Sequence, residues 1–233
     1  MSVYVMSDIH GNYAKYIQAL KTIDFNDNDI LYVLGDVVDR GTGSCKILLD
    51  MMYRSNIIPL IGNHEFMAII VLSKLLEEIT EESLKDFNQE FITGMLNWFA
   101  NGGKTTLDEF KQLSAENRQA VLEYLQEFEL YSEIRVNGQD YVLVHAGLDN
   151  FERTRKLSDY KLYEMIWAET DYDRVYFEDK ILVTGHTPVS AILLDKSADK
   201  IYKKNNHIAI DCGCGFNGKL GVLCLDTMEE FYF

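Results

Sequence analysis

Short apolar runs alternate with amphipathic stretches through the first third of the chain. Residues 2–6, 29–34 and 57–61 are brief and apolar, bounded by Asp, Gly or Asn, which predicts buried strands. Between them, Tyr13, Tyr16, Ile17 and Leu20 recur at helical spacing over residues 13–23. Residues 44–53 and 65–78 also read as helices. Strand, loop and helix thus follow one another three times. Open sheets of this kind place ligands just past the carboxyl ends of their strands.

The pattern then changes. Residues 81–129 read as mostly helical, with Leu84, Phe87 and Phe91, then Leu122, Leu125 and Phe128, as core-facing stripes. Asn101-Gly102-Gly103 breaks that run. Residues 133–136 and 139–145 predict a hairpin about Asn137-Gly138. A short helix is expected at 159–167, and strands at 181–184, 192–194, 200–202, 208–211, 220–225 and 229–232. A parallel half followed by a strand-rich half predicts an α/β fold of two sheets packed face to face, with helices outside. With no linker or repeat, residues 1–233 read as one domain, and the helical region at about 81–129 lies over the site.

Composition narrows the function. The chain has 233 residues, 47% hydrophobic and 25% charged, enough for one well-filled core. Its net charge of −15 argues against general binding to nucleic-acid backbones or anionic membranes. Cys212-Gly213-Cys214 is too tightly spaced for a structural zinc site, so Cys45, Cys212, Cys214 and Cys224 read as buried reduced thiols. Reduced thiols, and a start with no basic segment followed by an apolar one, predict a cytoplasmic protein without a signal peptide. The apolar run at 66–72 is too short to span a bilayer.

Histidine carries the chemical signal. Four of the five histidines fall in short motifs: Asp8-Ile9-His10-Gly11, Gly62-Asn63-His64-Glu65, His145-Ala146-Gly147 and Gly185-His186-Thr187. A fifth motif, Gly35-Asp36-Val37-Val38-Asp39-Arg40-Gly41, adds two carboxylates and a guanidinium. Asp8 and His10 are two apart at a strand end, so both can reach one metal. Asp36 can bridge two cations. Read alone, Asp39 and Arg40 could be a capping and salt-bridge pair, and Asn63 an N-cap. Read functionally, Asp39 orients a histidine, Arg40 grips phosphate oxygens in a bidentate fork, and Asn63 gives a neutral oxygen ligand. A lone histidine in the place of His145 or His186 would usually be structural. Two at strand ends, with three motifs upstream, favour ligation. His207 has no such context and reads as a surface or structural residue.

Asp8-Ile9-His10-Gly11, Gly35-Asp36-Val37-Val38-Asp39-Arg40-Gly41 and Gly62-Asn63-His64-Glu65 resemble the signature of the calcineurin-like metallophosphoesterases, and more narrowly of the phosphoprotein phosphatase superfamily. That superfamily includes Ser/Thr protein phosphatases and symmetrical dinucleoside tetraphosphatases. The resemblance runs from Asp8 to the segment at 210–220 and is specific in the order of its motifs. It implies a four-layer αββα sandwich of two mixed sheets flanked by helices. It also implies two divalent metal ions, one held by Asp8, His10 and Asp36 and the other by Asp36, Asn63, His145 and His186. Their shared water would attack phosphorus in line. Arg40 and Asn63 would hold the phosphate, and His64, paired with Asp39, would protonate the departing oxygen. Mixed N and O ligands suit manganese, the usual activator of bacterial relatives, with iron and zinc as alternatives.

One position departs from the pattern. Relatives carry a second phosphate-binding arginine between the last two metal histidines, and Trp167-Ala168-Glu169 puts Glu169 there. Arg153, Arg155 or Arg174 would have to fold back to replace it. The leading expectation is a metal-dependent phosphomonoester hydrolase acting on phosphoserine or phosphothreonine in proteins, or on a small phosphoester. The alternative is a symmetrical dinucleoside tetraphosphatase, disfavoured by the acidic chain and the missing arginine. A catalytically idle metal-binding module ranks third.

Overall fold

The computed structural model describes residues 1–76 and 88–233. The predicted helix end at 77–78, Leu84 and Phe87 lie outside the described residues. In chain order the first strands are β1 (Val3–Met6), β2 (Ile30–Val33), β3 (Ile57–Pro59), β4 (Tyr131–Val136) and β5 (Gln139–Val144). There follow β6 (Lys180–Thr184), β7 (Tyr202–Lys204), β8 (His207–Ala209), β9 (Gly221–Cys224) and β10 (Glu230–Tyr232). The described helices are α1 (Tyr13–Thr22), α2 (Ser44–Met52), α3 (Asn63–Leu76), α4 (Gln89–Ala100), α5 (Gly103–Phe110), α6 (Ala115–Gln126), α7 (Leu162–Ile166) and α8 (Val189–Ile192).

Two mixed five-stranded sheets result. The first runs β10-β9-β1-β2-β3, with β1, β2 and β3 parallel and β9 antiparallel to β1. The second runs β4-β5-β6-β8-β7, with β5, β6 and β8 parallel between antiparallel edges. The pleat explains the layering, because successive side chains point to opposite faces and both faces are apolar here. Val3 and Val5 of β1 meet Leu143 and Val183 between the sheets. Tyr4 and Met6 of the same strand face Tyr16, Leu48 and Leu72 of the helices. On the far side of the second sheet, Val142, Val144 and Leu182 are covered by Leu148, Phe151, Met165 and Tyr176. The layers are αββα, but the outer layer over the second sheet is mostly loop, with α7 as its short helix.

The hairpin forms where expected, with Asn137 at φ 48° and Gly138 at φ 86°, the two left-handed residues that a tight turn matching strand twist requires. One predicted strand is wrong. Residues 192–194 do not form a strand. Pro188 (φ −55°) instead opens α8 at Val189–Ile192, and Leu194 at φ 52° closes the segment. The apolar residues there gave no means of telling a strand from one helical turn.

Candidate active site

The carboxyl ends of β1, β2, β5 and β6, together with the start of α3, deliver the motif residues to one place. Most of the loops that do this are strained. Asp8, His10, Asp36, Asp39, Arg40 and His186 have φ of 54°, 46°, 54°, 73°, 65° and 65°, a region that side chains with a Cβ rarely occupy. Such strain, of order 1 kcal/mol or more per residue, persists only where the surroundings hold it, and it clusters at functional sites.

Glu65 does much of the holding. Its buried carboxylate accepts from the amides of Asp36 at 2.7 Å, Val37 at 2.8 Å, Val38 at 3.2 Å and Gly62 at 2.9 Å. That ties the loop after β2 to the start of α3. Burial raises its pKa, although His145 and these amide bonds pull the other way. Gly62 is required by contact, since a Cβ there would lie 2.3 Å from Asp36 Oδ1. The role of Glu65 was missed in the sequence, where it stood only as the acid of Gly62-Asn63-His64-Glu65.

Two donor sets share Asp36, buried except for the partly exposed His186. Ligand atoms of Asp36, His145 and His186 lie within 4.8 Å of one another, as do those of His10, Asp36 and His64. His145 Nε2 is 2.9 Å from Asn63 Oδ1, 3.2 Å from His186 Nδ1 and 3.4 Å from Asp36 Oδ1. His186 Nδ1 is 3.0 Å from the same Asn63 oxygen. Asn63 is the first residue of α3, and its side-chain oxygen is turned to these two imidazoles. His10 Nε2 lies 3.6 Å from Asp36 Oδ2 and 3.9 Å from Asp8 Oδ1. Asp8 Oδ2 accepts from Ser7 Oγ at 2.5 Å and from the amide of His186 at 3.0 Å, which joins the two sheets.

These residues fit a pair of divalent cations. The Nδ1–H of His145 is committed to Leu34 O at 2.6 Å, and that of His10 to Val38 O at 3.0 Å. Their Nε2 lone pairs are therefore turned on the Asp36 carboxylate, which is repulsive unless a proton or a cation sits between, and carbonyl-anchored imidazoles are the usual form of metal ligands. Burial, with His64 and Arg40 nearby, drives His10 well below the ordinary histidine range. Burial and His145 lower His186 to about 3. Both rings are neutral, as ligation requires. Burial pushes Asp36 well above the carboxylate range despite His64, with Asp8 and Glu65 adding to the rise. Cations would reverse that. His64 lies closer to the first donor set than a purely substrate-facing residue need be, with Nε2 3.7 Å from Asp36 Oδ2.

The other end of the site is satisfied within the protein. His64 Nδ1 meets Asp39 Oδ2 at 2.7 Å, and Arg40 approaches His64 Nε2 at 3.3 Å. Asp39 has no exposed surface and also accepts from Trp98 Nε1 at 2.8 Å and Thr106 Oγ1 at 2.7 Å. Burial alone would lower the His64 pKa, but Asp36 and Asp39 outweigh it and raise it. The capping reading of Asp39 fails, because α2 begins after Gly43 and Asp39 points inward.

Beside the site, Arg40, His186, Lys196, Cys212 and Phe216 line part of a cavity of about 460 Å³. The Arg40 guanidinium lies 4.1 Å from the centre of the Phe216 ring, which is 63% exposed. None of the three candidate replacement arginines enters the site. Arg153 pairs with Glu178, Arg155 with Glu164, and Arg174 stacks on Phe151. Glu169 is exposed. His207 is buried rather than superficial, stacked 4.7 Å from Tyr172 with Nε2 2.8 Å from Thr184 Oγ1. All four cysteines are buried and free.

A two-sheet sandwich with nitrogen and oxygen donors converging at its strand ends defines a metal-dependent phosphoester hydrolase. The chain belongs to the calcineurin-like phosphoesterase family, which it matches over residues 1–213. It is 31% identical over 116 residues to a symmetrical bis(5'-nucleosyl)-tetraphosphatase of Wigglesworthia glossinidia brevipalpis, covering 48% of this chain and 43% of the relative. A namesake from Buchnera aphidicola is 32% identical over 120 residues, covering 48% and 42%. Those matches span less than half of either relative's length. A third, from Methylobacillus flagellatus, is 25% identical over 268 residues, covering 99% of this chain and 94% of the relative. Among solved structures, a candidate diadenosine tetraphosphatase superposes with a TM-score of 0.66 at 16% identity, over 99% of this chain and 92% of that one. A protein serine/threonine phosphatase from Saccharomyces cerevisiae gives 0.54 at 14% identity, over 97% and 72%. Both structural likenesses speak to the fold alone. Among the described residues, no helix is long and apolar enough to cross a membrane.

Proposed function

We propose that this hydrolase splits dinucleoside tetraphosphates symmetrically, the alternative read from the sequence, rather than acting first on phosphoproteins. The observation that carries this reading is the cavity that joins Arg40, the exposed Phe216 ring and Lys196 to His186, with Asp199 also in its wall. A single phosphomonoester needs one guanidinium clamp. A polyphosphate chain needs a run of cations, and a nucleobase gains from an open aromatic face. The tetraphosphatase names of the relatives, one of them matched along nearly its whole length, support the same substrate class.

In this reading Asp8, His10 and Asp36 would hold one cation, and Asp36, Asn63, His145 and His186 the other. Manganese suits this mixed set, with iron or zinc as alternatives. When bound, such ions bring the pKa of water toward neutrality and offset charge on the phosphoryl oxygens. Arg40 and Asn63 orient the reacting phosphate. His64 gives the Nε2 proton to the departing oxygen, and Asp39 keeps Nδ1–H in place. Lys196, on the wall of the same cavity as Arg40, is the further cation available to a longer phosphate chain.

A second reading, Ser/Thr phosphatase, is favoured by the Asp39–His64 pair, since a serine or threonine oxygen leaves poorly without a proton. The test is manganese-dependent hydrolysis of diadenosine tetraphosphate and of a phosphothreonine peptide at equal concentration. The expected result is faster nucleotide turnover with ADP as the sole nucleotide product. Faster peptide turnover would move the assignment to the second reading, and turnover of neither would revive the idle module.

A further inference from the structure

Residues of α4, α5 and the turn between them make direct contact with Asp39 and Arg40. Trp98 has no exposed surface, and its indole N–H donates to Asp39 Oδ2 at 2.8 Å, the same oxygen that faces His64. Thr106 brackets Asp39 from two sides. Its hydroxyl donates to Oδ1 at 2.7 Å and accepts from the Asp39 amide at 2.8 Å. The amide also reaches Ser44 Oγ at 3.1 Å. In the turn between the helices, Gly102 O accepts from the Arg40 amide at 3.2 Å. Gly103 lies flat against the indole, where a Cβ would come within 2.3 Å of the ring.

These contacts share one physical effect. Asp39 and Arg40 both sit in the left-handed region, where an isolated residue would not stay. A buried carboxylate with three side-chain donors has one orientation, and so does the imidazole bonded to it. A buried indole also needs a partner for its N–H, and Asp39 is that partner.

We infer that Trp98 and Thr106 are positioning residues for proton transfer. They lock Asp39, and through it His64, so that Nε2 points at the departing oxygen. Neither touches substrate. The inference rests on the acid role of His64 in the proposed reaction, so the test separates the two.

Phenyl phosphate and p-nitrophenyl phosphate differ chiefly in how readily their oxygen leaves unprotonated. With manganese-loaded full-length protein, Trp98→Phe and Thr106→Val are each expected to lower kcat for phenyl phosphate roughly 10- to 100-fold, as misplaced catalytic groups do. For p-nitrophenyl phosphate the fall is expected to stay within about 3-fold, with KM unchanged for both. Thr106→Ser keeps the hydroxyl and is expected to restore the wild-type ratio. His64→Asn, run beside them, tests the acid itself. If His64→Asn loses selectively on phenyl phosphate while Trp98→Phe and Thr106→Val lose equally on both esters, or not at all, the positioning inference is overturned. If His64→Asn shows no selectivity, the acid reading fails beneath it. Should Trp98→Phe fail to fold, the Thr106→Val and Thr106→Ser pair decides alone.

Discussion

The two ends of the site differ in how their polar groups are satisfied. At the Asp36–Asn63–His145–His186 end, the Nε2 lone pair of His145 faces an amide oxygen at 2.9 Å and a carboxylate oxygen at 3.4 Å. At the Asp39–His64 end, the protein supplies hydrogen-bonding side chains to both oxygens of Asp39. In the proposed reading, cations complete the first end. The second is finished by the fold. One site can thus be built half from the chain and half from ions, and the two halves should fail differently.

The largest effect belongs to the ion-dependent end. Chelation, or His145→Ala, should cut turnover by about 10³-fold or more, since cations supply several kcal/mol of barrier lowering. Thermal melting should fall as well, because ligands from both sheets would then repel. Unchanged melting on chelation would break the comparison. Next comes the finished end. His64→Asn should lower kcat for phenyl phosphate by roughly 10²-fold, the scale of general-acid catalysis, while leaving manganese affinity alone. A matching loss of manganese affinity would make His64 a ligand, as its 3.7 Å approach to Asp36 would allow.

Glu65 serves both ends, and its loss should show in stability more than in chemistry. Glu65→Gln would set an NH₂ against one of the amides that now point at a carboxylate. The expected cost is about 3 kcal/mol, or roughly 10 °C in melting temperature. Thermal scans in the presence of chelator isolate that term from metal binding. The smallest effect is at the cavity. Lys196→Ala should raise KM for diadenosine tetraphosphate about 5-fold, with kcat nearly unchanged, as a single exposed phosphate contact would. An unaltered KM would leave Arg40 as the cation that matters in that cavity.

The convergence of the first end was legible in the sequence because its residues sit beside glycines at strand ends, in short motifs with fixed order. His10, Asp36, Asn63, His145 and His186 all converge. The finished end was half legible. Asp39 and His64 were paired in advance, but Trp98 and Thr106 were not, because their partner lies about sixty residues away and nothing local marks an indole as a donor. Glu65 was hidden for a related reason, since its acceptors' partners are backbone amides, which carry no residue signature. The sheets followed from apolar runs, whereas α8 defeated the same rule because four residues are too few for any period to show. The substrate was least legible, since Phe216 and Lys196 join the site only through the fold.

Calorimetric titration of metal-stripped protein with manganese tests the central claim most directly. The account predicts two ions per chain in the wild type and loss of one in His186→Ala. A wild-type chain that binds one ion or none, or a His186→Ala protein that still binds two, would contradict it.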